Sequence, residues 1–184
     1  MTPTLLLAGL ALALTPMPPH APHAASGALQ GTFESRSGSA VTGTAHMSPV
    51  APAPGPHGGH ATPSVHVTIR IEGASPGDHA VHVHEKGDCS APDASSAGGH
   101  FNPAGAPHGD HGSAQKHPGD FGNLRVGADG KGELTLDVGS ITLDSGPVGV
   151  LGRAVIVHEK ADDFGQPTGN AGGRQACAVL SIAP

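Results

Sequence analysis

A long segment without hydrophobic periodicity, Gly87 to Asn123, most constrains how this chain folds. Glycine, proline and histidine dominate it, and alternating apolar and polar stretches flank it. A structureless loop of that length inside a compact domain needs something beyond a hydrophobic core to hold it. Four of its side chains are candidate metal ligands, His100, His108, His117 and Asp120, whereas His111 is a spare candidate that is expected to be solvated. Bound metal ions and a disulfide bond would hold such a loop in place.

The flanking stretches predict an all-β fold. Val65, Val67, Ile69 and Ile71 lie on one face of an alternating run, as a half-buried strand requires. Similar runs predict the other strands: two within 28–46 around a turn at 37–39, and one each in 79–84, 124–126, 132–138, 153–157 and 176–182. No stretch has a convincing helical period. About eight short strands indicate an antiparallel sandwich or barrel.

Residues 1–25 have the features of a secretory signal peptide. The apolar run from Leu5 to Leu14 has the length of a signal peptide and is too short to span a bilayer. Small residues at 24–26 follow, where cleavage would occur, and several prolines lie between them and the apolar run. Those prolines argue against the alternative, a buried N-terminal helix. We therefore expect an exported protein, periplasmic or extracellular, with one domain at residues 26–184.

The net charge limits which partners the protein is expected to bind, and the cysteine content indicates its compartment. The formal net charge is −6 at pH 7, so neither nucleic acid nor an anionic membrane is an obvious partner. No cysteine lies near the predicted cleavage region, so we expect no lipid membrane anchor. The even count of two, Cys89 and Cys177, favours one disulfide in an exported protein over two buried free thiols. The sequence leaves both a monomer and a homodimer open.

A proline- and histidine-rich insertion lies at about residues 47–64, between two predicted strands. Its central part, Pro49 to Pro63, contains the pair His57 and His60. Such a segment is not expected to pair as a central strand. We interpret it as a flexible hairpin insertion with incidental histidines, and the alternative is an arm that gathers metal for loading.

Histidines on the predicted strands complete a metal-binding pattern. His82 and His84 are two residues apart on one strand, so both imidazoles leave the same face while Val81 and Val83 face the core. His158 ends the apolar run 154–157 and would lie beside them. In the long segment, three nitrogens and one oxygen are offered by His100, His108, His117 and Asp120. These four donors form a closed tetrahedral set that suits structural zinc.

Six short motifs follow one another along the second part of the chain. In order they are HVHE at 82–85, HFNP at 100–103, GD at 119–120, GN at 122–123, HEKADD at 158–163 and GNAGGR at 169–174. Together they resemble the copper/zinc superoxide dismutase family in its exported bacterial form, and the resemblance extends from Val41 to the C-terminus. It implies an eight-stranded antiparallel Greek-key barrel or sandwich with long metal-binding and active-site loops.

The resemblance also implies one copper and one zinc ion per subunit. Copper would be bound by four imidazoles, those of His82, His84, His100 and His158. Zinc would be bound by His100, His108, His117 and Asp120, with His100 bridging both metals. Asp162 resembles the carboxylate that hydrogen-bonds one copper histidine and one zinc histidine, which fixes their orientation. Cys89 would pair with Cys177 and tie the metal-binding loop to the last strand.

The activity implied by the resemblance is dismutation of superoxide to oxygen and hydrogen peroxide, with copper alternating between two oxidation states. His100 would take up a proton and pass it to the product, and Arg174 would dock the superoxide anion through its charge and paired donors. Between His158 and Arg174 the chain is shorter than the animal enzymes of the family and lacks their charged run. Attraction of the anion would then depend on other lysines, such as Lys86, Lys116 and Lys160.

The main alternative is a non-enzymatic exported carrier or buffer of copper and zinc with the same fold. Delivery domains usually exchange copper(I) through soft thiolates, and this chain has no cysteine beyond the expected disulfide. A zinc hydrolase is disfavoured, because the zinc set is complete without an open position. We therefore expect a superoxide dismutase.

Overall fold

The computed structural model describes residues 27–51 and 63–184. The predicted signal peptide at 1–25 lies outside the described residues, as do residues 52–62 of the predicted insertion. Within the described chain the only helical element is a 3-10 turn at Ser95–Ala97. No helix in these two ranges has the length and apolar character that a membrane span requires.

Strands form the frame of the molecule, and their order matches the prediction. Their bounds are β1 Leu29–Ser35, β2 Thr42–Val50, β3 Ser64–Glu72, β4 Gly77–His84, β5 Asp120–Val126, β6 Gly132–Val138, β7 Ala154–His158, β8 Arg174–Val179 and β9 Ser181–Ile182. The predicted last strand, 176–182, is divided at Leu180 into β8 and β9. Both pair with β1, so they act as one interrupted strand.

The strands close into a barrel. They hydrogen-bond in the order β2-β3-β6-β5-β4-β7-β8-β1, and β1 pairs in turn with β2. Every named pairing is antiparallel. The neighbours β3 and β6, and likewise β4 and β7, are not consecutive along the chain, which is a Greek-key type of crossover. The predicted all-β fold is confirmed, with β9 as a short addition.

Apolar side chains that alternate with polar ones along the strands fill the barrel interior, as predicted. In β3, Val65, Val67, Ile69 and Ile71 are buried, and the residues between them are half-buried or exposed. β4 differs, because residues 79–84 are buried on both faces. Its inward face belongs to the barrel core, whereas loops from elsewhere in the chain cover its outward face. β4 is therefore the rigid wall on which those loops meet.

The structure alters the edge of the predicted insertion. β2 continues to Val50, and Pro49 lies opposite Val65 of β3. Pairing of β1 with β2 ends at Met47, so Pro49 has a neighbouring strand on one side only. Proline is tolerated at such an edge position because fewer ladder hydrogen bonds are required there.

A disulfide bond joins Cys89 to Cys177, with the two Cα atoms 5.8 Å apart. Cys177 is buried in β8, beside Ala94 and Ala97 of the long loop and Ile156 of β7. The bond therefore fastens the start of the long loop to the barrel wall. The predicted disulfide is confirmed.

We expect loss of this disulfide to destabilise the metal-free protein. The bond closes a loop with a sequence separation of 88, for which the chain-entropy treatment gives about 4 to 5 kcal/mol. Urea unfolding of the Cys89→Ala, Cys177→Ala double variant and of the wild type measures the difference. Equal free energies of unfolding would contradict the expectation.

Candidate metal centre

β4 and β7 present three histidines to one point. His82 and His84 lie on the outward face of β4, backed by Val81 and Val83 in the core. The Nδ1–H of His84 donates to the Gly98 carbonyl oxygen at 3.0 Å, which leaves Nε2 free to face Nε2 of His158 at 3.4 Å. His158 ends β7, where the register with β8 shifts at a bulge. A bulge of this kind re-aims a side chain at a strand end.

The long loop adds His100 to this group. Four buried histidines each offer one nitrogen, and these nitrogens all lie within 4.8 Å of one another: His82, His84, His100 and His158. Four imidazole nitrogens form a donor set that suits copper(II). The structure thus brings together every residue of the copper set that the resemblance implies.

A second group forms around the carboxylate of Asp120. Its oxygens lie 3.0 Å from Nδ1 of His108, 3.1 Å from Nδ1 of His117 and 3.5 Å from Nδ1 of His100. The main-chain N–H of His117 also donates to this carboxylate at 2.9 Å. Three nitrogens and one oxygen therefore converge, as a tetrahedral zinc site requires.

His100 belongs to both groups. Ligand atoms of His82, His100, His108 and Asp120 also lie within 4.8 Å of one another. The ring centroids of His82 and His100 are 4.1 Å apart, and those of His100 and His117 are 5.4 Å apart. The two clusters therefore overlap at His82 and His100. Of these two, His100 is the one whose Nδ1 faces the Asp120 carboxylate, whereas His82 donates from Nε2 to Asp162.

Several buried nitrogens at this place have no hydrogen-bond partner, namely Nδ1 of His82, His100 and His108. Leaving a buried polar atom unpaired costs about 1 to 3 kcal/mol. Metal ions would satisfy these nitrogens, and the available donor sets fit copper and zinc. The residues present are therefore suited to both ions.

Asp162 connects the two groups and does not line the cavity described below. Nε2–H of His82 donates to its carboxylate at 2.7 Å, and Nε2–H of His108 donates at 2.9 Å. With the proton held at Nε2, each ring turns its Nδ1 lone pair towards the metal position. The main chain of Asp162 is held in turn by the side-chain amide of Asn123, which accepts at 2.7 Å and donates at 3.0 Å.

Burial keeps the strand histidines neutral. Loss of hydration lowers the pKa of His82 from 6.5 to about 4 and that of His84 from 6.5 to about 3. It also lowers the pKa of His158 well below its usual value. Burial alone would raise the pKa of Asp162, but hydrogen bonds from His82 and His108 outweigh it and lower the pKa. Neutral imidazole and ionised carboxylate are the forms that bind and orient metal.

A cavity of about 480 Å³ opens onto the first group. Its wall includes the rings of His84, His100 and His158 and two cationic side chains, Lys160 and Arg174, and none of its lining residues is acidic. The Arg174 guanidinium donates to the carbonyl oxygens of Ala94 at 2.6 Å and Gly98 at 2.7 Å. These bonds fix Arg174 at the rim through the loop that the disulfide fastens. The cavity is therefore suited to a small anion.

Three residues of the site have roles that were not predicted from the sequence. Asn123 lies in a recognised motif, but nothing in the sequence pairs it with Asp162. His79 is buried on β4, with Nδ1 2.8 Å from the carbonyl oxygen of His158 and Nε2 2.8 Å from that of Ser75. Gly169 has a φ of +72°, and a Cβ there would overlap the carboxylate of Asp162. Asn123 and His79 bond to main-chain groups, and Gly169 allows the main chain to approach a side chain closely; residue spacing reveals neither kind of contact.

These features define a class, a β-barrel protein with two adjoining metal sites that share one histidine. The family described as copper/zinc superoxide dismutase matches residues 41–180. A superoxide dismutase (Cu-Zn) of Deinococcus radiodurans is 41% identical over 153 residues, which cover 76% of this chain and 77% of that protein. An extracellular superoxide dismutase (Cu-Zn) of Drosophila melanogaster is 42% identical over 126 residues, 65% of this chain and 68% of that protein.

The fold has a counterpart among solved structures as well. The crystal structure of the clock protein EA4 superimposes with a TM-score of 0.73 at 34% identity, covering 89% of this chain and 99% of that one. The chain belongs to the copper/zinc superoxide dismutase family, which confirms the resemblance found in the sequence.

We expect the metal-free protein to lose stability as the pH falls. The pKa of His82 is about 4 in the folded state and 6.5 in the unfolded chain, so the unfolded state binds more protons between these values. The free energy of unfolding is therefore full above about pH 6.5 and falls towards about pH 4, by about 3 kcal/mol for one such histidine. Urea unfolding over this range measures the slope, and His82→Gln should make it shallower. A flat profile would contradict the expectation.

Proposed function

We propose that this chain catalyses the dismutation of superoxide to oxygen and hydrogen peroxide, with one copper and one zinc ion per subunit. A single observation carries the proposal. His100 is shared by an all-nitrogen donor set and a nitrogen–oxygen set, beside a cavity with two cationic side chains. Family membership supports the same conclusion, because the related proteins of Deinococcus radiodurans and Drosophila melanogaster are named superoxide dismutases.

Each donor set has a separate proposed task. The copper ligands are His82, His84, His100 and His158, and the zinc ligands are His100, His108, His117 and Asp120. Copper, when bound, supplies the one-electron redox chemistry that the reaction needs. The zinc set is closed by its four protein ligands, so its task is to orient His100 and stabilise the loop.

His100 is the proposed proton carrier. Its Nδ1 is turned towards Asp120, at 3.5 Å, and its ring forms part of the cavity wall. The second ring nitrogen, Nε2, is the one on the copper side, and when it is not bound to copper it would take up a proton and deliver it to the reduced substrate. Asp162 keeps the neighbouring rings of His82 and His108 in fixed orientations during this transfer.

Arg174 is the proposed docking residue for superoxide. Its guanidinium is fixed by two carbonyl oxygens, so little side-chain entropy is lost when an anion binds. Lys160 adds a second positive charge to the same cavity. In a cavity without acidic side chains, these charges concentrate a small anion near the copper ligands.

The carrier alternative is not favoured by the residues present. Both cysteines of the chain are joined in the disulfide, so no thiolate is available for copper(I) exchange. The same disulfide, together with the extracellular relative, supports an exported protein. A signal peptide at residues 1–25 and a periplasmic or extracellular location are parts of the proposal. The sequence leaves both a monomer and a homodimer open.

We expect His158→Ala to lose copper and activity but to keep zinc, because His158 belongs to the copper set alone. Superoxide dismutation and metal content of the purified mature protein are measured together. The matched control is His66→Ala, since His66 is exposed on the barrel surface and pairs with Asp137. Full copper and zinc with negligible activity in the wild type would reject the dismutase and favour the carrier.

We expect Arg174→Met to lower kcat/KM about 10–100-fold, the range for losing a hydrogen bond to a charged group. Arg174→Lys should fall between this variant and the wild type, because it keeps the charge but loses the paired donors. Arg125→Met is the control, since Arg125 is an exposed arginine that pairs with Asp78. Equal kcat/KM in Arg174→Met and the control, at full copper content, would remove the docking role.

A further inference from the structure

The side-chain amide of Gln166 closes a ring of two hydrogen bonds on the main chain of His108. The N–H of His108 donates to Oε1 of Gln166 at 3.0 Å, and Nε2 of Gln166 donates to the His108 carbonyl oxygen at 2.7 Å. Both main-chain groups of a proposed zinc ligand are therefore satisfied by one side chain. The two residues are 58 positions apart in sequence, so the ring joins two separate loops.

The loop that contains Gln166 also holds the ring of His108. Asp162 accepts from Nε2–H of His108 with both carboxylate oxygens, each at 2.9 Å. Gly169 lies against the same nitrogen, and a Cβ at that position would be 2.7 Å from it. His108 is therefore restrained at its main chain and at its ring by one segment, residues 162–173.

The same segment forms part of the cavity wall. Thr168, Asn170, Ala171 and Gly172 line the cavity that contains Arg174. Inside the segment, the N–H of Gly169 donates to the Gly165 carbonyl oxygen at 2.7 Å, and the N–H of Asp163 donates to the Gly169 carbonyl oxygen at 3.0 Å. Any restraint on His108 thus reaches the wall of the anion cavity through a short, internally bonded loop.

We infer that Gln166 is a positioning residue that couples zinc binding at His108 to the order of the cavity-lining segment 162–173. The inference rests on the proposed assignment of His108 to zinc. Zinc fixes the ring of His108, and Gln166 carries that restraint from the zinc-binding loop to the segment. By thermodynamic linkage, the factor by which zinc favours the ordered segment is also the factor by which an ordered segment raises the affinity for zinc.

A purely structural role of Gln166 would give a different experimental result, and the chain contains a matched residue for comparison. Asn102 makes the same ring of two hydrogen bonds on Ala106, donating at 2.8 Å and accepting at 2.9 Å. Ala106 is not a proposed metal ligand. Asn102, Ala106 and Gln166 line one cavity of about 350 Å³ next to His117, so the two rings lie in the same loop environment, with Gln166 exposed and Asn102 half-buried.

The test compares Gln166→Glu with Asn102→Asp in the full mature protein. Each change keeps the accepting oxygen and replaces the donating NH₂ with a second acceptor. Zinc affinity is measured by competition with a chromogenic chelator, starting from the metal-free protein. Hydrogen exchange of residues 162–173 is then compared with and without zinc.

We expect Gln166→Glu to weaken zinc binding about 10–100-fold, the usual effect of removing a hydrogen-bond partner of a metal ligand. Zinc should slow exchange in the segment of the wild type and of Asn102→Asp, but not in that of Gln166→Glu. If Gln166→Glu does not fold, Gln166→Met removes both hydrogen bonds without adding charge and replaces it in both measurements.

The inference is overturned if the Gln166 variant keeps the zinc-dependent protection of the segment, whatever its thermal stability. It is also overturned if Asn102→Asp loses zinc affinity and protection to the same extent. A wild type that binds both metals and dismutates superoxide upholds the proposed function in either case. A wild type that binds no zinc removes both the zinc assignment and the coupling.

Discussion

The carboxylate of Asp162 is the interaction on which the two donor sets depend. It accepts from one histidine of each set, His82 and His108, and so fixes which nitrogen of each ring is available for metal. A buried carboxylate of this kind is stable only when it is fully hydrogen-bonded, and the main-chain N–H of Phe164 and the two imidazoles supply the donors. One side chain therefore sets the orientation of rings that come from different parts of the chain.

The barrel gives this arrangement its rigidity. His82 and His84 are fixed because the residues between and before them, Val81 and Val83, pack in the core. A shift of one residue in the register of β4 would exchange the two faces and bury the wrong side chains. The long loop has no such protection, and it depends on the disulfide, on Arg174 and on the histidines themselves. Precision at the site thus comes from strands on one side and from side-chain bonds on the other.

The sequence predicted those parts of the structure that depend on period and on residue type. Alternation located β3, and the spacing of His82 and His84 placed both rings on one face. The order of motifs indicated which loop histidines belong together, and the structure places them around Asp120. Spacing could not predict the paired hydrogen bonds of the Asn123 and Gln166 side-chain amides, because each joins residues that are distant in the sequence. The proline-rich composition also placed Pro49 in the insertion, whereas it belongs to β2. Whether β2 can contain a proline depends on where its pairing with β1 ends.

Composition and the positions of the histidines explain why metal binding and stability are coupled here. The chain has four phenylalanines and neither tryptophan nor tyrosine, so its core is built mainly from aliphatic side chains, joined by Phe33, Phe101 and Phe121. The proposed ligand positions extend from residue 82 to residue 158, and only the folded chain holds them close together. Metal ions therefore bind the folded state more tightly than the unfolded chain, and the difference in binding free energy adds to stability. The same imidazoles that are costly to bury without metal become, once they bind it, what holds the long loop to the barrel.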